Sequence, residues 1–126
     1  MRVYSFGACD GFPDRLEAPA FLVEDGEELI LVDCPPQINL MLKQIGFSVM
    51  DLTGVIITHL HNDHSGGLIE LIQLRMLCLS KPEIMHQAGY FTNVARPKLK
   101  IKVCGLETDW FTALRTLIEN NCPSNW

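Results

Sequence analysis

His59, His61, Asp63 and His64 put four metal-binding side chains within six residues. They follow the apolar run Gly54-Val55-Ile56-Ile57-Thr58 and lead into Ser65-Gly66-Gly67, the pattern of a strand that stops and hands over to a glycine-rich turn. Alternate residues of a strand point to one face, so His59 and His61 can converge on one ion. Asp63 and His64, in the turn that follows, can face a second ion close by. Neutral imidazoles together with a hard carboxylate suit zinc, and manganese or iron accept the same ligand set. The chain holds four histidines in all and three of them fall in this window, which weighs against a polar loop that carries them by accident.

The elements that must hold this motif can be read on either side of it. Residues 2–6 read as a short strand and the Gly-, Pro- and Asp-rich stretch 7–17 as a loop. Residues 18–23 and 28–32 form a predicted hairpin across Glu24-Asp25-Gly26, because Asp-Gly is a strong turn signal. Pro35 and Pro36 end the second strand and permit a helix, in which Ile38, Met41, Leu42 and Ile45 recur at helical spacing up to a stop at Gly46. Residues 55–58 are β-branched and continuously apolar, as an inner strand requires. Residues 68–79 are apolar nearly all round, with Glu70, Gln73 and Arg75 as the polar exceptions, which predicts a helix mostly enclosed by protein. Its N-terminus starts at Gly66-Gly67, where glycine lets the backbone pass close to the ions and free N–H groups could hold an anionic substrate group. Further on, residues 83–86 are predicted as a short strand and 99–103 as a better one. Trp110, Ala113, Leu114, Leu117 and Ile118 predict a helix over 110–119, capped by Thr108 or Asp109. Residues 122–126 form a short polar tail.

Thr58-His59-Leu60-His61-Asn62-Asp63-His64-Ser65-Gly66-Gly67 resembles the HxHxDH signature of the metallo-β-lactamase superfamily. Glu28-Leu29-Ile30-Leu31-Val32-Asp33-Cys34 is similar to the strand that ends in an aspartate before the first helix of those proteins. Within the superfamily, Gly7-Ala8-Cys9-Asp10-Gly11-Phe12-Pro13 and the two strands after it look most like the tRNase Z and phosphodiesterase branch. The resemblance implies an α/β fold of the αββα type, two sheets face to face with helices outside. This chain looks like its N-terminal portion: a half version with one mixed sheet flanked by helices, forming a single domain over 1–126. The resemblance also implies hydrolysis by a water activated on one or two zinc ions, with His59 and His61 on the first and Asp63 and His64 on the second. Asp63 would in addition accept a proton from the nucleophilic water. Asp33 would stand behind the ligands and orient the motif loop by hydrogen bonds; an aspartate that caps a turn after a strand is the plainer alternative.

The chain departs from the family where the site should be completed. The family supplies a further histidine well downstream, a bridging aspartate and often another histidine, whereas here only His86 follows the motif, too close to His64 to match. At a predicted strand end, His86 either lines the pocket and contacts substrate or lies on the surface. Asp109 and Glu107 lack the surrounding motif of a bridge. Half the fold also implies a sheet with one bare apolar face, which soluble monomers rarely tolerate. Three solutions are open: a homodimer that rebuilds the double sheet, a chain cut from a longer enzyme, or a compact packing of the last residues over that face.

Composition bounds the rest. The 126 residues suffice for one core but not for two, and 48% hydrophobic with 20% charged residues is a globular balance. No apolar run approaches the ~20 residues of a membrane span, and no signal-peptide pattern is present. A net charge of −5 argues against a broad nucleic-acid surface but not against a small phosphate ester, since bound metal would reverse the local sign. Arg96, Lys98, Lys100 and Lys102 alternate as on the solvent face of a strand rather than as an RNA patch. The five cysteines, Cys9, Cys34, Cys78, Cys104 and Cys122, have no CxxC spacing, which suits reduced thiols in a cytoplasmic protein; Cys34 reads as buried packing or as a thiol near the site. The activity expected is that of a phosphodiester hydrolase, with thioester, lactone or β-lactam hydrolysis as variants. The alternative is a metal-binding but catalytically incomplete remnant or subunit.

Overall fold

Tyr4, Leu22, Leu31, Val55 and Ile101 form one row of side chains across neighbouring strands of a single sheet. All but Tyr4 are buried, and this row is the floor on which the helices pack. The computed structural model describes residues 1–7, 19–90, 98–103, 106–108, 112 and 115. The expectations for residues 8–17, for the helix over 110–119 and for the tail fall outside those residues, as do Cys9, Cys104, Cys122, Arg96 and Asp109.

The strands are β1 (Arg2–Ser5), β2 (Phe21–Asp25), β3 (Glu28–Val32), β4 (Gly54–Ile57), β5 (Lys100–Val103) and β6 (Leu106–Thr108), and they lie in chain order. The sheet is mixed: β3–β4 and β4–β5 are parallel, and the other pairs antiparallel. The hairpin turn is Gly26-Glu27, slightly later than predicted, because Glu24 and Asp25 still pair with Leu29 and Glu28 and extend the ladder. Gly26 takes the positive φ of 61° that such a tight turn needs at its first central position.

The parallel pairs need crossovers, and these carry the helices. Between β3 and β4 lie α1 (Ile38–Gln44) and a 3-10 turn (Val49–Asp51). Between β4 and β5 lie α2 (Asn62–Ser65), α3 (Leu68–Ser80) and α4 (Pro82–Gln87). The core forms where they meet the sheet: Ile38, Met41 and Leu42 from α1, Val49, Met50 and Leu52, and Leu68, Leu71 and Ile72 from α3.

Two predicted elements come out differently. Residues 83–86 are helical, not extended: Pro82 occupies the first turn of α4, where a missing N–H costs nothing. Nor is α3 enclosed. It buries one stripe, Leu68, Leu71, Ile72 and Arg75, at helical spacing, while Ile69, Met76, Leu77 and Leu79 are exposed. Arg75, expected among the polar exceptions, is the buried one. Its Nη1 donates to the Val49 carbonyl at 2.6 Å and the Leu52 carbonyl at 3.2 Å, so the guanidinium closes the end of the 3-10 turn. The α3 sequence is apolar on every side, so its periodicity does not reveal which stripe is used.

The opposite sheet face is apolar on β1 to β4. Val3 and Phe21 are exposed there, and Val23, Ile30, Val32 and Ile56 are half-buried. On β5 that face carries Lys100 and Lys102, both exposed. Among the described residues, no helix is long and apolar enough to cross a membrane.

Candidate metal centre

Strands β3 and β4 run parallel, so their C-terminal ends deliver Asp33 and Thr58 to one place, the edge where sheets of this kind bind ligands. As the chain leaves β3, the Asp33 N–H still donates to the Ile56 carbonyl at 2.7 Å. Asp33 then takes φ 66°, a left-handed conformation rare for residues other than glycine but more accessible to aspartate than to most. The buried Asp33 carboxylate thereby comes under the motif. Its Oδ1 accepts the Thr58 backbone N–H at 2.8 Å, and both oxygens lie 2.9 Å from the Thr58 hydroxyl. Its Oδ2 lies 2.7 Å from His64 Nδ1. A carboxylate only accepts, so His64 carries a proton on Nδ1 and turns Nε2 outward.

That outward nitrogen lies 3.3 Å from Asp63 Oδ2. A tetrahedral ion with bonds of about 2.0–2.1 Å has donor–donor edges of about 3.3–3.4 Å, so the two atoms are spaced as ligands of a single ion. Asp63 and His64 lie in α2, a single turn whose amides close on His61: the His64 and Ser65 N–H groups both donate to the His61 carbonyl at 2.9 Å. The Ser65 hydroxyl reaches the Leu60 and His61 carbonyls at 3.0 and 3.1 Å, which pins the loop from below.

His59 and His61 do not sit on a strand as expected. Strand β4 stops at Ile57, because the Asp33 carboxylate takes the Thr58 N–H away from the ladder. The loop still brings the imidazoles together: His59 is 4.8 Å from His61, edge to face, and 3.9 Å from His64, centroid to centroid. Among the described residues, no three His, Cys, Asp or Glu side chains gather closely enough to hold one ion. Of these donors, Asp63 Oδ2 and His64 Nε2 stand as a close pair.

Gly66 and Gly67 do not cradle an anion. Their N–H groups donate to the Asn62 and Cys34 carbonyls, each at 2.8 Å. A Cβ on Gly67 would collide with the Pro35 carbonyl, so the glycine serves close approach of two backbones. With the Cys34 N–H donating to the His64 carbonyl at 2.7 Å, it clamps the loop after β3 to the motif. Cys34 itself is fully buried; burial first, then the charges of Glu70 and Asp33, push its thiol well above the ordinary range, which makes it packing and not a nucleophile. His86 lies on the exposed side of α4, on a shallow cavity lined by Pro82, Glu83 and Gln87 and by none of the motif residues. The motif, Asp33 and Thr58 are one site; His86 is not part of it. Thr58 carries no signal in the sequence beyond its place before His59.

The profile of the family described as Anti-Pycsar protein Apyc1 matches residues 1–122. The chain belongs to the Apyc1 family. The Apyc1 protein of a Paenibacillus species is 33% identical over 88 residues, which are 70% of this chain and 36% of that protein. A ribonuclease Z from Metallosphaera sedula is 38% identical over 73 residues, 58% of this chain and 25% of that protein. This Apyc1-family chain thus spans between 19% and 36% of the length of the curated relatives it matches. Of solved structures, the metallo-β-lactamase fold protein YhfI from Bacillus subtilis superposes with a TM-score of 0.57 at 23% identity, over 80% of this chain and 44% of that one. The fold is therefore that of the metallo-β-lactamases, present in part.

Proposed function

We propose that this chain carries the first half of a zinc-dependent phosphodiester hydrolase site. The observation that carries the reading is the Asp63–His64 pair, spaced as ligands and locked from behind by Asp33. Asp63 and His64 would hold one ion, and His59 with His61 would hold the other. Bound zinc would supply acidification of water and polarisation of the scissile bond; manganese or iron would suit the same donors. The chain's own part is to fix tautomers, to exclude alternative loop positions through the Gly67–Pro35 contact, and to offer Asp63 as proton acceptor. Phosphodiesters lead as substrates because relatives at 33–38% identity include proteins named ribonuclease Z, whose name states cleavage of RNA. A cytoplasmic setting with reduced thiols belongs to the same reading.

A second reading is favoured by one observation: among the described residues, no three donors gather to hold one ion. On it, the chain binds metal weakly and needs donors from another segment or from a second copy seated on the apolar sheet face, a homodimer that rebuilds a double sheet. Metal content after dialysis against zinc-free buffer, light scattering after size exclusion, and hydrolysis of bis(p-nitrophenyl) phosphate test both. Retained zinc with turnover that disappears in a folded His61→Ala variant supports the hydrolase. Retained zinc without turnover supports the incomplete site. A His61→Ala variant as active as the parent would sink the hydrolase reading.

A further inference from the structure

One contact in the site is not used by the ligand scheme. The Thr58 hydroxyl lies 3.1 Å from His59 Nδ1 while it also faces both oxygens of Asp33 at 2.9 Å. A hydroxyl has one proton to give and lone pairs to receive. Asp33 can only accept, so the Thr58 proton goes to the carboxylate. What remains on the Thr58 oxygen is acceptor capacity, and among the described residues the ring atom it faces is His59 Nδ1. That nitrogen must then carry a proton for the contact to be favourable, and the lone pair of the neutral ring is left on Nε2.

We propose that Thr58 is a positioning residue that sets the tautomer of His59. Asp33 fixes His64 directly and His59 through the Thr58 hydroxyl, so one buried carboxylate turns two imidazoles to present Nε2. The Thr58 backbone N–H on Asp33 Oδ1 holds the hydroxyl in place. The direction of the relay follows from chemistry: reversal would require Asp33 to donate, against its bonds from the Thr58 amide and His64 Nδ1. Valine removes both functions of the hydroxyl at nearly constant shape, and serine restores them. The inference rests on His59 as a ligand for its purpose, but the tautomer is set in the metal-free protein and can be read there.

The test is long-range proton–nitrogen NMR of the histidine rings in the metal-free protein. In the parent, His59 should show a protonated Nδ1 and a bare Nε2, and His64 a protonated Nδ1. Thr58→Val should move His59 toward protonated Nε2 and leave His64 unchanged, and Thr58→Ser should return it. Zinc affinity should fall about 10- to 100-fold in Thr58→Val, the range for partners behind a ligand, and recover in Thr58→Ser. A parent His59 that already carries its proton on Nε2 overturns the proposal without any variant. So does a folded Thr58→Val chain in which the His59 tautomer stays put. A parent that shows the expected tautomers but retains no zinc would remove the hydrolase reading and leave the role of Thr58 standing.

Discussion

Replacing Gly67 by alanine should be among the costliest single-methyl additions in this chain, although the residue lies in an ordinary helical conformation. Gly67 has φ −92° and ψ −2°, so alanine faces no backbone strain and gains about 0.5–1 kcal/mol from the stiffer unfolded chain. The cost is contact. A Cβ there would strike the Pro35 carbonyl oxygen and lie 2.8 Å from the Pro35 carbon and 3.2 Å from the Cys34 oxygen, inside the 3.4 Å of ordinary contact. These are backbone atoms, so no side chain can swing away. Overpacking of this kind costs about 1–3 kcal/mol. The two clamp hydrogen bonds, Gly67 N–H to Cys34 and Cys34 N–H to His64, at 2.8 and 2.7 Å, each contribute about 1 kcal/mol. The net expectation is a loss of about 2–4 kcal/mol, a large part of the stability of a domain this size. In urea, at about 1–3 kcal/mol per molar, the midpoint should fall by about 1–2 M. Gly54→Ala is the internal control: its Cβ would meet Ile30 and Lys100 at 3.6 Å, ordinary contact, and the change should stay under about 1 kcal/mol. If Gly67→Ala unfolds within about 0.5 kcal/mol of the parent, or Gly54→Ala costs as much, the close approach of the two loops is not what holds the motif.

Two further expectations concern buried ionisable groups. Burial raises the Cys34 thiol, so the folded chain keeps a proton that the unfolded chain releases near pH 8.5. Stability from this group is therefore complete below that pH and is lost above it, at up to about 1.4 kcal/mol per pH unit. In urea titrations the gap between parent and Cys34→Ala should shrink by about 1–2 kcal/mol from pH 8 to pH 10, and parallel pH curves would refute this. Arg75→Leu, which strands the carbonyls of Val49 and Leu52, should cost about 2–4 kcal/mol. Arg75→Lys should recover no more than half, because an ammonium lacks the planar fork; full rescue by lysine would show that charge alone matters there.

What was legible in the sequence depended on short-range signals. The motif loop, the hairpin, β3, β4 and α1 follow from residue type and period over a few positions, and the Lys100 and Lys102 alternation gave the solvent face of β5 correctly. The misreadings have different causes. Residues 83–86 look extended by composition, but Pro82 begins a turn of helix, and the apolar surface of α3 hides which stripe packs. Gly66 and Gly67 look like an anion cradle, yet their amides are claimed by Asn62 and Cys34.

By itself the sequence determined the donor set: which side chains could bind a metal, their order, and the strand end that presents them, because these depend on residue chemistry and local period alone. Only the tertiary structure decided their orientation. Asp33 and His64 are 31 residues apart and Thr58 and Asp33 are 25 apart, and no local pattern encodes a hydrogen bond across such a separation. The parallel pairing of β3 with β4 makes those bonds, and they set how the motif side chains face one another.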